Sequence, residues 1–467
     1  MKFKNAVSFI LGPAVTGLLG LVTVPYLTWQ LTPTDLGQYS FFLATLSFCI
    51  AFFPLGLDQA FVREYYDVSN KNELLTTTIL PSMLVFIVSY IIITPFFSVS
   101  KIIIGNAVAN VELVFFASVV AGIAVRFLFL PIRMQGNGAL YSLGQIIPRS
   151  VLIFYLVIVS TNQHSLTTAG LIYVWTIGLF IQLLILTIIN TFSAKKFTLT
   201  FINIDLFRKS LRYSVPLMLS SIAFWGLTLT DRVLLRTFSS FDQLGIYSVI
   251  INFASVAVMF QTVFTTIWSP LVLKWHSEGT AEQNVAYISS FALPIFLFGS
   301  FLTVLIAPFL NIFLGDGYDQ IAIILPLCVV PAFMYTMSEI SACKLQIEKR
   351  SDLILTSVLI GLSANMVLGY FFVNYLGISG AAISTAVSFW AMYVVKIRNV
   401  VRIGGTNHMK NFSLISLMII FLLSIYSVVG KDQFAIVGLI SLLLIFVTVF
   451  YFRLSFLALC KYVRGQN

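Results

Sequence analysis

The stretch LTPTDLGQYS, residues 31–40, contains the pentapeptide LGQYS, which returns as LGIYS at residues 244–248. Two further pairs of short segments recur roughly 210 residues apart: RMQ at 133–135 with KLQ at 344–346, and TAG at 168–170 with ISG at 378–380. Each match is short, but the three pairs share nearly one offset and fall at corresponding positions of apolar runs. The sequence therefore predicts an internal repeat, in which the second half of the chain follows the plan of the first.

Composition assigns the chain to a broad class. Of its 467 residues, 59% are hydrophobic and only 9% are charged, whereas a soluble domain has roughly 25% charged residues. Many apolar runs are long enough to cross about 30 Å of hydrocarbon as a helix. The sequence predicts an all-α polytopic membrane protein with about fourteen transmembrane helices. The predicted spans cover residues 6–30, 36–58, 77–97, 111–132, 141–160, 167–190, 213–234, 243–270, 285–307, 320–342, 352–374, 377–398, 412–430 and 433–457.

The repeat also predicts how the helices are grouped. Six predicted helices separate the two copies, and because six is even, both copies cross the membrane in the same direction. Such a parallel repeat is related by an axis along the membrane normal, which is a recurring plan among transporters. We expect an N-terminal six-helix bundle (1–194), a basic cytoplasmic connection (195–212), a C-terminal six-helix bundle (213–402) and two additional transmembrane helices (403–467).

Positive charge is distributed unevenly between the two sides of the predicted membrane. Most of the 27 Lys and Arg fall in segments assigned to the cytoplasm, which predicts that both termini are cytoplasmic. The clearest groups are Lys195, Lys196, Arg208, Lys209 and Arg212 after the sixth span, and Lys396, Arg398, Arg402 and Lys410 after the twelfth. This topology and contact with anionic headgroups account for the net charge of +10, so no nucleic-acid partner is inferred. The Cys and His residues lack metal-ligand spacing, and no metal site is predicted.

The repeated pentapeptide has a local explanation. Thr34 or Asp35 can cap the helix that LGQYS opens, and Ser240 or Asp242 can cap the helix that LGIYS opens. The tyrosines of the two copies, Tyr39 and Tyr247, are placed for the aromatic membrane interface. A helix start and a packing contact suffice to explain the motif, and we predict no chemical role for it.

Several phrases also carry a family resemblance: LTPTDLGQYS followed by PLGLDQAFVREYY (54–66), TDRVLL (230–235) with LGIYS, and LGISGAAIST (376–385). They resemble the polysaccharide-exporter branch of the multidrug/oligosaccharidyl-lipid/polysaccharide (MOP) superfamily, particularly the O-antigen flippases. The resemblance implies two six-helix bundles around a central cavity. It also implies transfer of an undecaprenyl-diphosphate-linked glycan across a bacterial inner membrane, with glycan polymerase and chain-length proteins as candidate partners.

Ionisable residues inside spans need an explanation, because a charge at the bilayer centre costs about 3 kcal/mol or more. Arg126 lies within the fourth predicted span, Arg133 lies seven residues later on nearly the same face, and Arg149 lies in the fifth span. Guanidinium groups offer bidentate hydrogen bonds to phosphate oxygens, so these three are candidates to bind a diphosphate, as is Arg63 at the end of the second span. Interfacial anchoring is the alternative for Arg133 and Arg149.

A second set of charges lies near the ends of other spans. Arg232 is a candidate to receive the phosphate on the outer side, while Asp231, Asp58 and Glu339 are candidates for charge balance or for binding a coupling proton or sodium ion. The alternatives are an interfacial ion pair at Asp231–Arg232 and a Glu339–Lys344 pair. Polar residues of the eighth span, Asn252, Gln261 and Thr265, are candidates to line a wet cavity, or they form hydrogen bonds between helices.

Three classes of function follow from these residues. The favoured class is a lipid-linked oligosaccharide flippase that works by alternating access without a cofactor. A drug or organic-cation exporter of the same superfamily would need an anionic cavity, against which the arginines argue. A membrane glycan polymerase or glycosyltransferase would be expected to present a large outer loop or a cluster of catalytic carboxylates, and neither is evident, so we predict that the chain is not an enzyme.

Overall fold

The computed structural model describes residues 3–105, 109–162, 165–193, 202–348, 350–406 and 412–429. These residues form sixteen α-helices and one short 3-10 turn, with no strand in the described ranges. The all-helical prediction is therefore confirmed. The helices are α1 (Phe3–Gln30), α2 (Pro33–Phe52), α3 (Leu57–Glu64), α4 (Lys71–Ile93), α5 (Val99–Ile104), α6 (Ala109–Met134), α7 (Gly138–Thr161), α8 (Thr168–Ser193), α9 (Ile204–Phe238), α10 (Phe241–Ser277), α11 (Ala281–Ser289), α12 (Ala292–Leu310), α13 (Ile321–Ser341), α14 (Cys343–Ile347), α15 (Ser351–Arg402) and α16 (Phe412–Val429).

Eleven of the described helical segments are long and apolar enough to cross a membrane. Helices occupy most of each predicted span except 433–457, which lies outside the described residues. The eleven segments are fewer than the predicted spans because α15 contains two predicted spans and because α9, which carries the span 213–234, is not among the eleven. The multi-spanning class of the protein is confirmed.

The chain divides into two compact units, Met1–Trp225 and Gly226–Asn467. In the first unit, α7 packs between α1 and α8, and α6 packs against α4 and α8. In the second unit, α13 is central and contacts α10, α12, α15 and α16. Accordingly, α13 is the most deeply buried of the eleven candidate spans. The predicted division into two bundles, a basic connection and two additional helices stays a prediction.

The two copies of the pentapeptide begin their helices in the same way. Thr32 caps α2 by accepting a hydrogen bond from the Asp35 backbone N–H, and Ser240 caps α10 by accepting one from Gln243. Ser240 was predicted, but Thr34 and Asp35 were the wrong choices for α2. Pro33 occupies the first helical position, where its missing N–H is tolerated, so the residue directly before it, Thr32, is the cap.

A break follows α2 where the sequence analysis predicted a continuous span to residue 58. The helix ends at Phe52, and Leu55 and Gly56 adopt positive φ angles of 53° and 73° before α3 begins. Gly56 lies against the Ser214 carbonyl oxygen, where a Cβ atom would approach to 2.6 Å. This break places Asp58, Arg63 and Glu64 on α3, a separate short helix, rather than at the end of the second span.

The 52 residues of α15 form a hairpin of two helices. A straight helix of that length would extend about 78 Å, far more than a bilayer. Gly377 adopts non-helical angles, φ 56° and ψ −125°. Beyond it the chain doubles back, because Asn365 approaches Thr385 and Gly361 lies against the Ser388 carbonyl. The sequence prediction of separate spans at 352–374 and 377–398 matches this hairpin.

Candidate functional site

Arg126 is paired inside the first unit. Its Nε and Nη2 atoms donate hydrogen bonds of 3.1 and 2.7 Å to Oδ2 of Asp58, which is buried at the start of α3. About a third of the Arg126 side chain, 35%, remains exposed. The two residues were predicted to serve separate roles, in phosphate binding and in charge balance. In the structure Asp58 compensates the charge of Arg126 directly.

The other candidate phosphate ligands of this unit occupy different surroundings. Arg133 is exposed on the last turn of α6, and Arg63 is exposed on α3, 4.0 Å from Glu64. Arg149 is half-buried on α7 and lies directly against Gly20 of α1.

Arg149 leaves a donor unsatisfied. Its Nε atom is buried and has no hydrogen-bond partner in the described part of the chain. Tyr39, whose hydroxyl is likewise buried and unpartnered, lies close enough to Arg149 to interact with it electrostatically. Buried polar atoms in proteins normally have partners. An arginine and a phenol hydroxyl with unused hydrogen-bonding capacity therefore occur together in the first unit.

In the second unit the charge beside the tyrosine of the pentapeptide is Asp231, as Arg149 is in the first unit. It is 3% exposed and accepts hydrogen bonds from the Tyr247 hydroxyl and from the Arg232 backbone N–H. Among the described residues no side-chain nitrogen of a Lys or Arg forms an ion pair with its carboxylate within 4 Å. Arg232 is half-buried, and its Nε atom has no partner in the same residues.

The repeated tyrosines pack inside their own units rather than at an exposed surface. Tyr39 and Tyr247 are both buried, at 5% and 1% exposure. Tyr39 interacts electrostatically with Arg149 in the first unit, and the Tyr247 hydroxyl donates a hydrogen bond to Asp231 in the second. Their placement at the depth of the membrane interface stays a prediction. The motif thus contributes a phenol hydroxyl beside a buried charge in both units, a role that the sequence analysis did not predict.

Glu339 forms a second buried ion pair. Its Oε1 atom lies 2.7 Å from Nζ of Lys396, whose side chain is only 2% exposed. Lys396 also donates to Ser338 Oγ at 3.3 Å, and Gln346 donates to Glu339 Oε2 at 2.8 Å. The predicted Glu339–Lys344 pair is wrong, because Lys344 instead lies 3.7 Å from Glu348 and donates to the Gly404 carbonyl.

Lys396 is a residue whose importance the sequence analysis missed. It was counted among the cytoplasmic positive charges after the twelfth span, yet it lies inside the helical segment that ends at Arg402. Its position within the predicted span 377–398 was a usable signal, because a lysine within a span is rare without a partner.

The polar candidates of α10 are less organised. Asn252 donates to the Ser248 carbonyl and Thr265 donates to the Thr262 carbonyl, both within their own helix. Gln261 is half-buried. These contacts neither bridge helices nor define a binding pocket, so the role of the three residues in lining a cavity stays a prediction. Among the described residues, no group of three or more His, Cys, Asp or Glu could hold a metal ion.

The comparison of the sequence with protein families gives one match. The family described as "Polysaccharide biosynthesis protein" matches residues 3–276, which is more than half of the chain. No curated protein matches the sequence.

Solved structures share the fold of this chain at low identity. The lipid II flippase MurJ in an inward closed conformation is 17% identical, has a TM-score of 0.69, and the match covers 96% of this chain and 99% of MurJ. An inward-facing multidrug resistance MATE family transporter of the MOP superfamily is 14% identical, with a TM-score of 0.58 over 90% of this chain and 98% of its own. The Vibrio cholerae MATE transporter VcmN is 15% identical and has a TM-score of 0.58, and the match covers 85% of this chain and 98% of VcmN.

Proposed function

The chain belongs to the polysaccharide biosynthesis protein family and has the fold of MOP-superfamily transporters, and from this premise we propose that it is a lipid-linked oligosaccharide flippase. Its substrate in this proposal is an undecaprenyl-diphosphate-linked repeat unit, such as that of an O-antigen. The protein moves it from the cytoplasmic to the periplasmic leaflet of a bacterial inner membrane by alternating access, and it is a transporter rather than an enzyme. Glycan polymerase and chain-length proteins are the proposed partners.

The observation that carries this proposal is the state of Arg149. A half-buried guanidinium with an unpartnered Nε in a membrane-spanning helix is costly, and a diphosphate oxygen is an acceptor that would satisfy it. Arg126 supports the same reading of the first unit, because a third of its side chain stays exposed beyond the Asp58 contact. A carrier of a diphosphate-linked lipid needs cations at membrane depth, and in this proposal Arg149 and Arg126 serve as those cations.

For the coupling ion we propose Asp231 ahead of the other two acidic candidates. Asp58 and Glu339 already have cationic partners at 2.7 Å. The hydrogen bonds of Asp231 come from a phenol and a backbone N–H, neither of which carries charge. A proton or a sodium ion is the proposed coupling ion. Arg232 stays a proposed outer-side phosphate ligand.

One observation favours a second candidate function, the export of drugs or organic cations. MATE transporters of this kind share the fold over 90% of the chain, and Asp231 offers a buried acid. The arginines of the first unit oppose it, because they would repel a cationic substrate.

The experiment that tests the proposal is transbilayer movement of an undecaprenyl-diphosphate oligosaccharide in proteoliposomes. Arg149→Ala is expected to abolish movement, and Arg149→Lys to retain part of it, because ammonium keeps the charge but loses the bidentate geometry. Arg350→Ala is the matched control, since Arg350 is exposed and paired with Asp352, and it should move substrate at the wild-type rate. Movement of an organic cation, with no movement of several lipid-linked glycans by the wild type, would replace the flippase with the exporter.

A further inference from the structure

A basic cavity lies in the first unit away from Arg126 and Arg149. It has a volume of about 510 Å³ and is lined by Arg63 and Glu64 of α3 and by Arg208, Lys209 and Arg212 of α9. All four cations are exposed, whereas Glu64 is buried. The cavity is therefore a concave surface with four positive side chains around a single acid.

Glu64 organises this cavity without neutralising it. Its Oε2 atom lies 2.6 Å from Nζ of Lys209, and its Oε1 atom lies 4.0 Å from Nε of Arg63. This buried carboxylate ties the end of α3 to the first turns of α9. One negative charge against four positive charges leaves a clear cationic excess.

Two of the arginines are positioned to act together. Arg208 and Arg212 are four residues apart on α9, so they lie on the same helix face one turn apart. Neither has an acidic partner within 4 Å among the described residues. Two neighbouring guanidinium groups with exposed hydrogen-bond donors suit a ligand with several phosphate oxygens.

The position of the cavity along the chain connects it with loading of the substrate. Arg63 and Glu64 lie between the candidate spans Pro33–Phe52 and Lys71–Ile93, and Arg208 to Arg212 precede the predicted span 213–234. The predicted topology assigns both segments to the cytoplasmic side, which is the side where the proposed substrate is collected.

We propose that this cavity is a docking site for the diphosphate group of a prenyl-linked substrate, which binds there before it is translocated. The inference rests on the proposed flippase function and adds a first binding position to it. Phosphate is also the chemistry of anionic phospholipid headgroups. A prenyl diphosphate carries more negative charge and more acceptor oxygens than a phosphodiester headgroup, and it matches the excess of cations better.

The test is binding of a fluorescent geranyl diphosphate probe to the full chain in phosphatidylcholine nanodiscs, with no transport step involved. The variant is the double substitution Arg208→Gln and Arg212→Gln. The matched control is Arg398→Gln and Arg402→Gln, which removes two exposed charges with the same spacing from α15. We expect the first variant to bind the probe about tenfold more weakly and the control to stay within about twofold of the wild type.

Competitors identify the source of the phosphate. Inorganic pyrophosphate should displace the probe, while phosphatidylglycerol added to the nanodiscs should leave its affinity within about twofold. Displacement of the probe by phosphatidylglycerol at equal concentration would overturn the proposal in favour of a headgroup site. Equal probe binding by the two double variants, or no probe binding by the wild type, would also overturn it. If the wild type binds the probe but moves no glycan in proteoliposomes, the flippase function alone is refuted. If the Arg208→Gln and Arg212→Gln variant moves glycan normally and binds the probe as the wild type does, the docking site alone is refuted.

Discussion

At the scale of single residues, two of the acidic candidates are paired with a buried or half-buried base. Asp58 with Arg126 in the first unit and Glu339 with Lys396 in the second each join an acid and a base at 2.7 Å. The partners come from different helices in both cases. Removing one partner of a buried pair leaves the other charge uncompensated, which costs more than the pair itself contributes.

Lys396→Met is therefore expected to destabilise the protein by about 3–5 kcal/mol, because Glu339 would remain in a site that is only 14% exposed. The double variant Glu339→Gln and Lys396→Met should recover at least half of that loss. The measurement is the thermal unfolding midpoint in a fixed detergent.

The control for this prediction is Lys274→Met. Lys274 is 69% exposed and lies 3.6 Å from Glu278 on the surface of the same unit, so its loss should cost less than about 1 kcal/mol. Equal midpoints for Lys396→Met and Lys274→Met would show that the Glu339–Lys396 pair contributes nothing to stability.

The sequence identified these charges better than it identified their partners. Arg126, Asp58 and Glu339 are conspicuous because they interrupt apolar runs or end them. Which base meets which acid depends on how helices rotate and pack, and helices that are apolar on all sides carry little periodicity to predict this. Lys396 was consequently counted among the charges after the twelfth span, and Lys344 was predicted to pair with Glu339, which pairs with Lys396 in the structure.

At the scale of elements, helix positions followed from the length of the apolar runs, but breaks within them did not. The turn at Leu55 and Gly56 depends on local backbone angles and on contact with Ser214. The hairpin within α15 was predicted, because its two apolar runs together are too long for one crossing. The angle that makes the hairpin is carried by Gly377 alone.

Gly377→Ala is expected to destabilise the second unit by about 1–3 kcal/mol. The added Cβ is strained at φ 56° and ψ −125°, and it would overlap the side-chain amide of Gln243. The thermal unfolding midpoint in detergent should fall by a few degrees.

Gly136→Ala separates the two causes. Gly136 also has a positive φ, 75°, but a Cβ there would meet nothing within 4 Å, so that variant reports strain alone and should cost about 1 kcal/mol. If the two variants unfold at the same temperature, crowding at Gln243 and the unusual ψ of Gly377 have no measurable effect.

At the scale of the whole molecule, the internal repeat was the most informative feature of the sequence. The two copies of the pentapeptide open α2 and α10 with equivalent caps, and both place a buried tyrosine beside a charge. The sequence predicted the repeat from three short matches at offsets of 208, 211 and 210 residues. The opposite sign of the two neighbouring charges, Arg149 and Asp231, could not be inferred from it, because these residues lie outside the repeated phrase.

Topology follows from the distribution of positive charge and gives the last prediction. Lys461 and Arg464 follow the predicted span 433–457, while Lys431 precedes it. The excess of positive charge after the span predicts that residue 467 is cytoplasmic and residue 431 is on the far side. A green fluorescent protein fused after residue 467 should fluoresce, because this reporter becomes fluorescent in the cytoplasm. One fused after residue 431 should be dark, because the reporter does not become fluorescent when it is exported unfolded across the membrane. Alkaline phosphatase fusions at the two positions should give the opposite pattern.

Fusions after Gly279 and after Gly105 calibrate the cytoplasmic and outer signals. The same signal at residues 431 and 467 would mean that 433–457 does not cross the membrane, and the number of crossings would then be odd.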